Sequence, residues 1–224
     1  MYKIIGLGEA TKEVIAAFDK YPEYKTYYLD ESDLGKYSSM QEYEEKFPVS
    51  RVRKTLKTVT KNCEALFVVQ GGDPIVGASL RVLEILKRAS VSILYLSPDV
   101  TILNQEEKER ANFSSSAFQD IVRSGELEKI YMIDLETMES IVGEVSLRDY
   151  DRITAENIVG TFAMLNYFDH TDPIKTTKNK LPEAVRIGTF GILSEAGEEI
   201  LFYDLQQIKD REYCYGIPED EVNS

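Results

Sequence analysis

The segment Leu66-Phe-Val-Val-Gln-Gly-Gly-Asp-Pro-Ile-Val-Gly-Ala-Ser79 decides the fold. Its first half completes the run Ala65 to Val69, which has no polar alternation and suits a strand buried on both faces of a parallel sheet. Its second half carries Gly71, Gly72, Pro74 and Gly77, then enters a helix expected over about Ala78 to Ala89, with Leu80, Leu83 and Leu86 along it. A strand that passes through a glycine-bearing loop into a helix offers unpaired amides and a positive dipole end to an anion.

The same unit recurs on either side. Upstream, Tyr2 to Leu7 reads as a strand broken by Gly6-Leu7-Gly8, followed by a helix from Thr11 with Val14, Ile15 and Phe18 on one face and an end at Tyr21-Pro22. A tyrosine-rich strand, Lys25 to Leu29, stops at Asp30. The polar stretch Glu31 to Lys46 reads as an irregular excursion outside the core, and a helix is expected over Ser50 to Lys61. Downstream come a strand at Val91 to Leu96 and a long helix from Asn104 or Gln105 to Arg123, closed by Ser124-Gly125. A strand at Lys129 to Asp134 follows, then a helix capped by Thr154 and ending near Phe168. Strand and helix alternate throughout, the pattern of an α/β, doubly wound, mostly parallel sheet.

The remainder differs. Runs at Val185 to Leu193 and Ile200 to Ile208, joined by Ser194 to Glu198, predict a β-hairpin appendage, with a third strand suggested at Tyr213 to Ile217. This divides the chain into an α/β domain over 1–170, a polar linker over 171–182 and a β-rich appendage over 183–224.

Composition narrows function. The chain has 224 residues, with 26 basic against 39 acidic side chains and a formal charge of −13. That balance argues against sequence-independent nucleic-acid binding, which needs a basic field, and against attachment to an anionic membrane. No stretch reaches the ~18 apolar residues of a spanning helix, and the N-terminus lacks the pattern of a signal peptide. Cys63 and Cys214 fit neither a disulfide framework nor a zinc cluster. With His170 as the one histidine, a histidine metal site or a Ser-His-Asp triad has little to build with, and no metal site is expected. These features predict a soluble protein of the cytoplasm. Fourteen tyrosines, many within 21–43 and 203–215, suit either a protein-partner surface or half-buried strand edges.

Ligands of open parallel sheets bind beyond the carboxyl ends of the strands. There the first loop, Gly6-Leu7-Gly8-Glu9-Ala-Thr11, is paired with Asp30, about 20 residues on, where dinucleotide folds place an acid on ribose hydroxyls. Taken alone, this allows an NAD-type dinucleotide site, or a tight turn that lets helix pack on strand.

Taken together, these segments resemble the nucleotide-binding half of the tubulin/FtsZ superfamily. The segment 66–79 is similar to that family's glycine-rich phosphate loop, with Gly72, Gly77 and Ala78 matching. Ile4 to Ala10 resembles its opening strand and loop, Leu29-Asp30 its second-strand acid, and Ile93 to Pro98 its strand ending before a proline. Glu107 to Arg110 and Phe118 to Val122 resemble the next helix, Ile130 to Leu135 the strand of the sugar-contacting loop, and Thr154 to Phe168 the central helix. The resemblance covers about residues 2–170. It implies guanine-nucleotide binding (GTP or GDP, with Mg2+) among Gly6, Leu7, Gly8, Glu9, Asp30, Gly71, Gly72, Asp73, Gly77, Ala78 and Pro98. It also implies head-to-tail self-assembly, in which acids from one subunit reach the nucleotide of the next; the nearest likeness to that acidic loop is Asn166-Tyr-Phe-Asp169-His-Thr-Asp172.

The departures from the family pattern carry their own physics. Pro74 has no amide to give. Asp73 and Glu9 bring carboxylates toward the same anion, and two like charges 4 Å apart at an effective dielectric of 20 repel by about 4 kcal/mol. Three readings follow: an assembling protein with weak or lost GTP hydrolysis, a non-enzymatic assembly or inhibitory scaffold with a decayed pocket, and an NAD-type dinucleotide-binding protein.

Overall fold

A computed structural model describes residues 2–59, 61–171 and 186–214. In chain order its elements are β1 (Tyr2–Leu7), α1 (Lys12–Phe18), β2 (Tyr24–Leu29), α2 (Glu31–Leu34), α3 (Met40–Glu45), α4 (Val49–Thr55) and β3 (Glu64–Gln70). Then come α5 (Ser79–Leu86), β4 (Ser90–Ser97), α6 (Gln105–Ser124), β5 (Lys129–Asp134), α7 (Leu135–Val142) and α8 (Leu147–Asp169). The last three are short strands: β6 (Ile187–Gly188), β7 (Gly191–Leu193) and β8 (Glu199–Leu201). Short 3-10 turns, Glu9–Thr11 and Pro74–Ala78, lead into α1 and α5.

Six strands form one parallel sheet in the order β2-β1-β3-β4-β5-β6, and β7 pairs antiparallel with β8 in a separate ribbon. The strand alternation explains why both faces must be covered. Ile5, Leu7, Ala65, Phe67, Val69, Ile93 and Ile130 point to one face, against Val52 of α4 and Leu56 just after it, Val82 and Leu86 of α5 and Phe118 and Val122 of α6. Ile4, Leu66, Val68, Leu94 and Ile133 point to the other, against Phe18 of α1, Met138 of α7 and Ile158, Val159 and Phe162 of α8. A strand with apolar residues at every position, as in β3, is stable only between two helical layers. The α/β, doubly wound fold with a small C-terminal hairpin is thus the observed one.

α6 has the clearest ends. Asn104 and Glu107 form a reciprocal capping box, at 3.0 and 2.9 Å, and Gly125 closes the helix in the left-handed conformation.

Several sequence expectations are corrected. The stretch 31–46 is not an excursion outside the core: it forms α2 and α3, and Leu34, Tyr43 and Phe47 are buried in the main core. The helix expected over Ser50 to Lys61 is α4 alone and stops at Thr55. Thr154 does not open its helix; α8 begins after Ser146, and Thr154 is buried inside it. α7 was not anticipated. The run read as one strand over Val185 to Leu193 splits into β6, which extends the parallel sheet beside β5, and β7 of the ribbon. Phe190 and Phe202, either side of that ribbon, are buried in the core of the second face, Phe190 against Tyr131 and Phe162 and Phe202 against Phe190. Tyr213 and Cys214 are not in a strand, and 215–217 lie outside the described residues, as do the linker residues 172–182. Of the tyrosines, Tyr24 and Tyr43 belong to the core, with edge-to-face contacts to Phe18 and Tyr37. Among the described residues no helix is long and apolar enough to cross a membrane.

Candidate functional site

The strand order reverses at β1: β2 lies on one side and β3 on the other. Such a switch point opens a crevice at the carboxyl ends of the strands, and here it lies between the loop after β1 and the loop after β3. The two glycine loops singled out in the sequence therefore face each other across it.

They are in contact. Gly8 has φ +85°, and a β-carbon added there would lie 2.7 Å from Cγ2 of Ile75. Ile75 and Val76 are buried and belong to the core of the first sheet face. The amide of Gly8 donates to the Leu29 carbonyl at 2.9 Å, which ties the first loop to the end of β2. Its carbonyl accepts from both the Thr11 amide (3.0 Å) and the Thr11 hydroxyl (2.9 Å). Gly6 allows α1 to sit on β1, since a β-carbon would come 2.5 Å from Ile15 and 2.7 Å from the Thr11 hydroxyl. Leu7 is core.

In the second loop the amides of Gly71, Ile75 and Val76 are spoken for, while those of Gly72 and Asp73 meet no acceptor among the described residues. Pro74 has no amide hydrogen. The Ile75 amide donates to the Asp73 carboxylate at 2.8 Å, and the Val76 amide to the Asp73 carbonyl at 3.2 Å. Gly71 donates to the Leu96 carbonyl at 3.2 Å and packs under the Tyr95 ring and the backbone of Ala111. A β-carbon on Gly77 would run into the backbone of Met40, because α3 lies directly over this loop. Ala78 is fully buried and Pro98 is buried beside Gly72. Gly72, at φ +92°, is buried, and an added β-carbon would sit in ordinary contact with its neighbours, the nearest atom being 3.7 Å away.

The carboxylates of this end have partners of their own. Glu9 meets Lys12 at 2.8 Å and accepts from the Tyr28 hydroxyl at 2.9 Å. The Lys12 hydrogen bond, aided by Tyr28, holds its carboxyl below the usual range. Asp30 caps α2, accepting from the Ser32 amide (2.8 Å) and hydroxyl (2.6 Å) through one oxygen, and the Ser32 hydroxyl is the main cause of its lowered pKa. Among the described residues no group of three or more His, Cys, Asp or Glu side chains is placed to hold a metal ion.

Arg110 belongs to this region and was not singled out in the sequence as a site residue. Its Nε donates to the Gly72 carbonyl at 2.6 Å while Nη1 meets Glu106 at 2.5 Å, and its side chain is only 14% exposed. Its spacing from Glu106, four residues on one helix, was the available signal. The plugging role of Ile75 and Val76 was also legible, as two apolar residues inside a glycine loop.

Asp169 lies at the other end of the molecule. It lines a cleft of about 520 Å3 with Tyr2, Glu64, Ser90 and Lys129, which open their strands, and with Asn166 and His170. Nδ1 of His170 is 2.8 Å from the Asn166 carbonyl, and Nε2 is 3.0 Å from the Glu64 carboxylate. Both partners only accept, so the doubly protonated ring satisfies both; the carbonyl, then Glu64, raise its pKa. Asp172 lies outside the described residues. Asp169 and the glycine loops therefore occupy opposite ends of one sheet, about as far apart as its strands are long.

No protein-family model and no curated relative matches the chain. Solved structures do. An empty FtsZ dimer from M. jannaschii matches with a TM-score of 0.60 at 14% identity, over 79% of this chain and 57% of that one. TubZ of Bacillus thuringiensis serovar israelensis, in GDP-form protofilaments, matches at 0.57 and 18% identity, over 72% and 54%. A TubZ of type III plasmid segregation matches at 0.56 and 16%, over 72% and 54%. The chain thus spans a little over half the length of these structures. At such identities the likeness concerns architecture: the chain has the tubulin/FtsZ fold, in a divergent form.

Proposed function

We propose that this chain is an assembling module of the tubulin/FtsZ fold that associates head to tail with copies of itself and needs no bound nucleotide to do so. The observation that carries this is the packing of Ile75 on Gly8 at the switch point, with the Asp73 carboxylate bound to the Ile75 amide. In an anion cradle a phosphate oxygen would accept from such amides; here a carboxylate of the chain itself does. Guanine nucleotide does not fit these loops as they stand, since its phosphates would have to displace a buried isoleucine and approach Asp73. An assembly or inhibitory scaffold with a decayed pocket, of cytoplasmic location, fits this arrangement better than an active GTP hydrolase.

Self-association is supported by the fold. The similar FtsZ structure is a dimer and the similar TubZ forms protofilaments. An end-to-end contact joins two different surfaces and propagates into open filaments or closes into rings.

The test is sedimentation velocity of purified protein with and without GTP or GDP and Mg2+, alongside calorimetry with GTP, GDP and NAD. The expected result is concentration-dependent association that is indifferent to nucleotide, with no binding heat. Guanine-nucleotide binding tighter than ~100 μM (about −5.5 kcal/mol), or phosphate release lost in Asp169→Asn, overturns it.

A second reading keeps a guanine-nucleotide site, with the second loop opening on binding. It is favoured by the amides of Gly72 and Asp73, which meet no acceptor among the described residues, and by the GDP form of the similar TubZ protofilament. In it Gly8, Glu9, Asp30, Gly71, Gly72, Asp73, Gly77, Ala78 and Pro98 would line the nucleotide. Asp169 would reach it from a neighbouring copy.

A further inference from the structure

The chain's negative charge is unevenly placed. Residues 49–61 carry five lysines or arginines and no acid. Arg53, Lys54, Lys57 and Lys61, with Lys87 and Arg88 after α5, are all exposed, and among the described residues none makes an ion pair. α4 and α5 pack side by side on the first sheet face, so these cations form one patch. Lys61 and Arg88 meet across an open hollow with Asn62, Ser90, Glu64 and Glu128. Because Lys57 and Lys61 precede β3 and Lys87 and Arg88 precede β4, the patch lies at the amino end of the sheet.

The opposite end of the same face is acidic. Glu45 of α3, Asp73 of the second loop, Asp99 after β4 and Glu109 of α6 make no ion pair among the described residues. Glu45 and Glu109 are exposed and hold only glutamine amides, Gln41 at 2.7 Å and Gln105 at 2.8 Å. Each end also exposes large apolar side chains. Val100, Ile102 and Leu147 stand at the carboxyl end, and Met164 and Tyr167 on the last turns of α8 at the amino end.

We infer that the cationic patch that runs from Arg53 to Lys61 and on to Lys87 and Arg88 docks on the acidic carboxyl end, around Glu45 and Glu109, of a second copy of this chain. The inference rests on the proposed end-to-end association and names its mating surfaces. Translating a copy along the strand direction brings the positive patch of one molecule onto the negative end of the next, on the same sheet face. Two bodies each at −13 repel at long range, but salt screens that repulsion beyond ~10 Å. Close complementary charges then steer the encounter and fix the register, and the exposed apolar residues supply contact area inside a charged rim. In this arrangement the chain's own carboxylates provide the negative charge at the end where the family's resemblance implies nucleotide phosphates.

The experiment is a charge exchange read by sedimentation velocity. Lys61→Glu with Arg88→Glu makes one variant, and Glu45→Lys with Glu109→Lys makes the other. All four positions are exposed, and circular dichroism confirms folding before each run. Each variant alone should associate at least tenfold more weakly than wild type, whereas an equal mixture should regain association as alternating copies. Wild-type association should also weaken at least tenfold between 50 and 500 mM salt, which needs no variant. Wild-type association that ignores both charge reversal and salt overturns this inference and leaves the proposed function standing; a wild type that stays monomeric overturns both. Binding of heparin or duplex DNA to wild type, lost in Lys61→Glu with Arg88→Glu, would assign the patch to a polyanion and overturn it also.

Discussion

Ile75 occupies the space that a side chain on Gly8 would need, with its Cγ2 2.7 Å from the position of that missing β-carbon. The contact joins the loops after β1 and β3 at the place where an open sheet offers its ligand crevice. It makes the crevice part of the core. Two consequences can be measured. Ile75→Ala should cost about 2–5 kcal/mol in urea unfolding, the range for truncating a buried isoleucine. Gly8→Ala should also destabilise, by about 1–3 kcal/mol, through its positive φ and the clash. A cost under ~0.5 kcal/mol for Ile75→Ala would mean the loop is open in solution, and the second, nucleotide-bound reading would gain.

Gly71 and Tyr95 should be energetically coupled. The Tyr95 hydroxyl donates to the Ala111 carbonyl at 2.9 Å and lies 3.1 Å from the Ser114 hydroxyl, while burial pushes its pKa up to about 12. Tyr95→Phe alone should cost about 1 kcal/mol, the net worth of one such hydrogen bond. Gly71→Ala should cost more, because its β-carbon would meet the hydroxyl first and the ring carbon behind it at 3.0 Å. In the Tyr95→Phe background that second change should be cheaper, by about 0.5–3 kcal/mol, the range of coupling between contacting residues. Strict additivity in a double-mutant cycle would show that the backbone, not the hydroxyl, takes up the strain.

The capping box of α6 should be worth about 1 kcal/mol to the whole domain. Asn104→Ala removes the side-chain acceptor for the Glu107 amide and leaves Glu107 to hold the Asn104 amide alone. Chemical denaturation should show a lower midpoint with an unchanged slope. A lowered slope instead would indicate that α6 frays separately from the sheet.

What could be read from the sequence followed the strength of local signals. The strands β1, β3, β4 and β5 were legible because a strand between two helical layers must be apolar at successive positions, as Ala65 to Val69 is. α6 was legible because Asn104 and Gly125 mark both its ends. α3 was not, since Tyr43 and Phe47 are buried against a loop and a helix rather than a sheet, which leaves only a loose spacing. The start of α8 was hidden for the opposite reason. Its first turns carry Leu147, 95% exposed, and Arg148, Asp149, Asp151 and Arg152, so no apolar stripe appears until Thr154 and Ala155 turn inward. Of the candidate site, the sequence placed the two glycine loops and Asp30 at the same end of the sheet. That Asp73 satisfies the Ile75 amide and that Met40 covers Gly77 depends on tertiary packing, which spacing does not encode.

The last prediction concerns pH at the amino-end cleft. His170 sits between two acceptors, the Asn166 carbonyl and the Glu64 carboxylate, and its pKa lies above the ordinary histidine value. Other charged or titratable groups around it are Asp169 on its own helix and Tyr2, Lys129, Glu128 and Arg186 across the cleft. A group whose folded pKa is raised stabilises the fold fully below its unfolded pKa of about 6.5 and loses that contribution as pH rises through the folded value. The His170–Glu64 contact should therefore help anchor the end of α8 to the start of β3 in acidic solution and lose that contribution as pH rises through the raised pKa. Because the pair is half exposed, solvent screening keeps its effect small. The signature is accordingly local: an NMR titration of the single histidine should give a midpoint above 6.5 that falls toward 6.5 in Glu64→Gln. A midpoint already at 6.5 in wild type would mean the carboxylate contact is absent in solution.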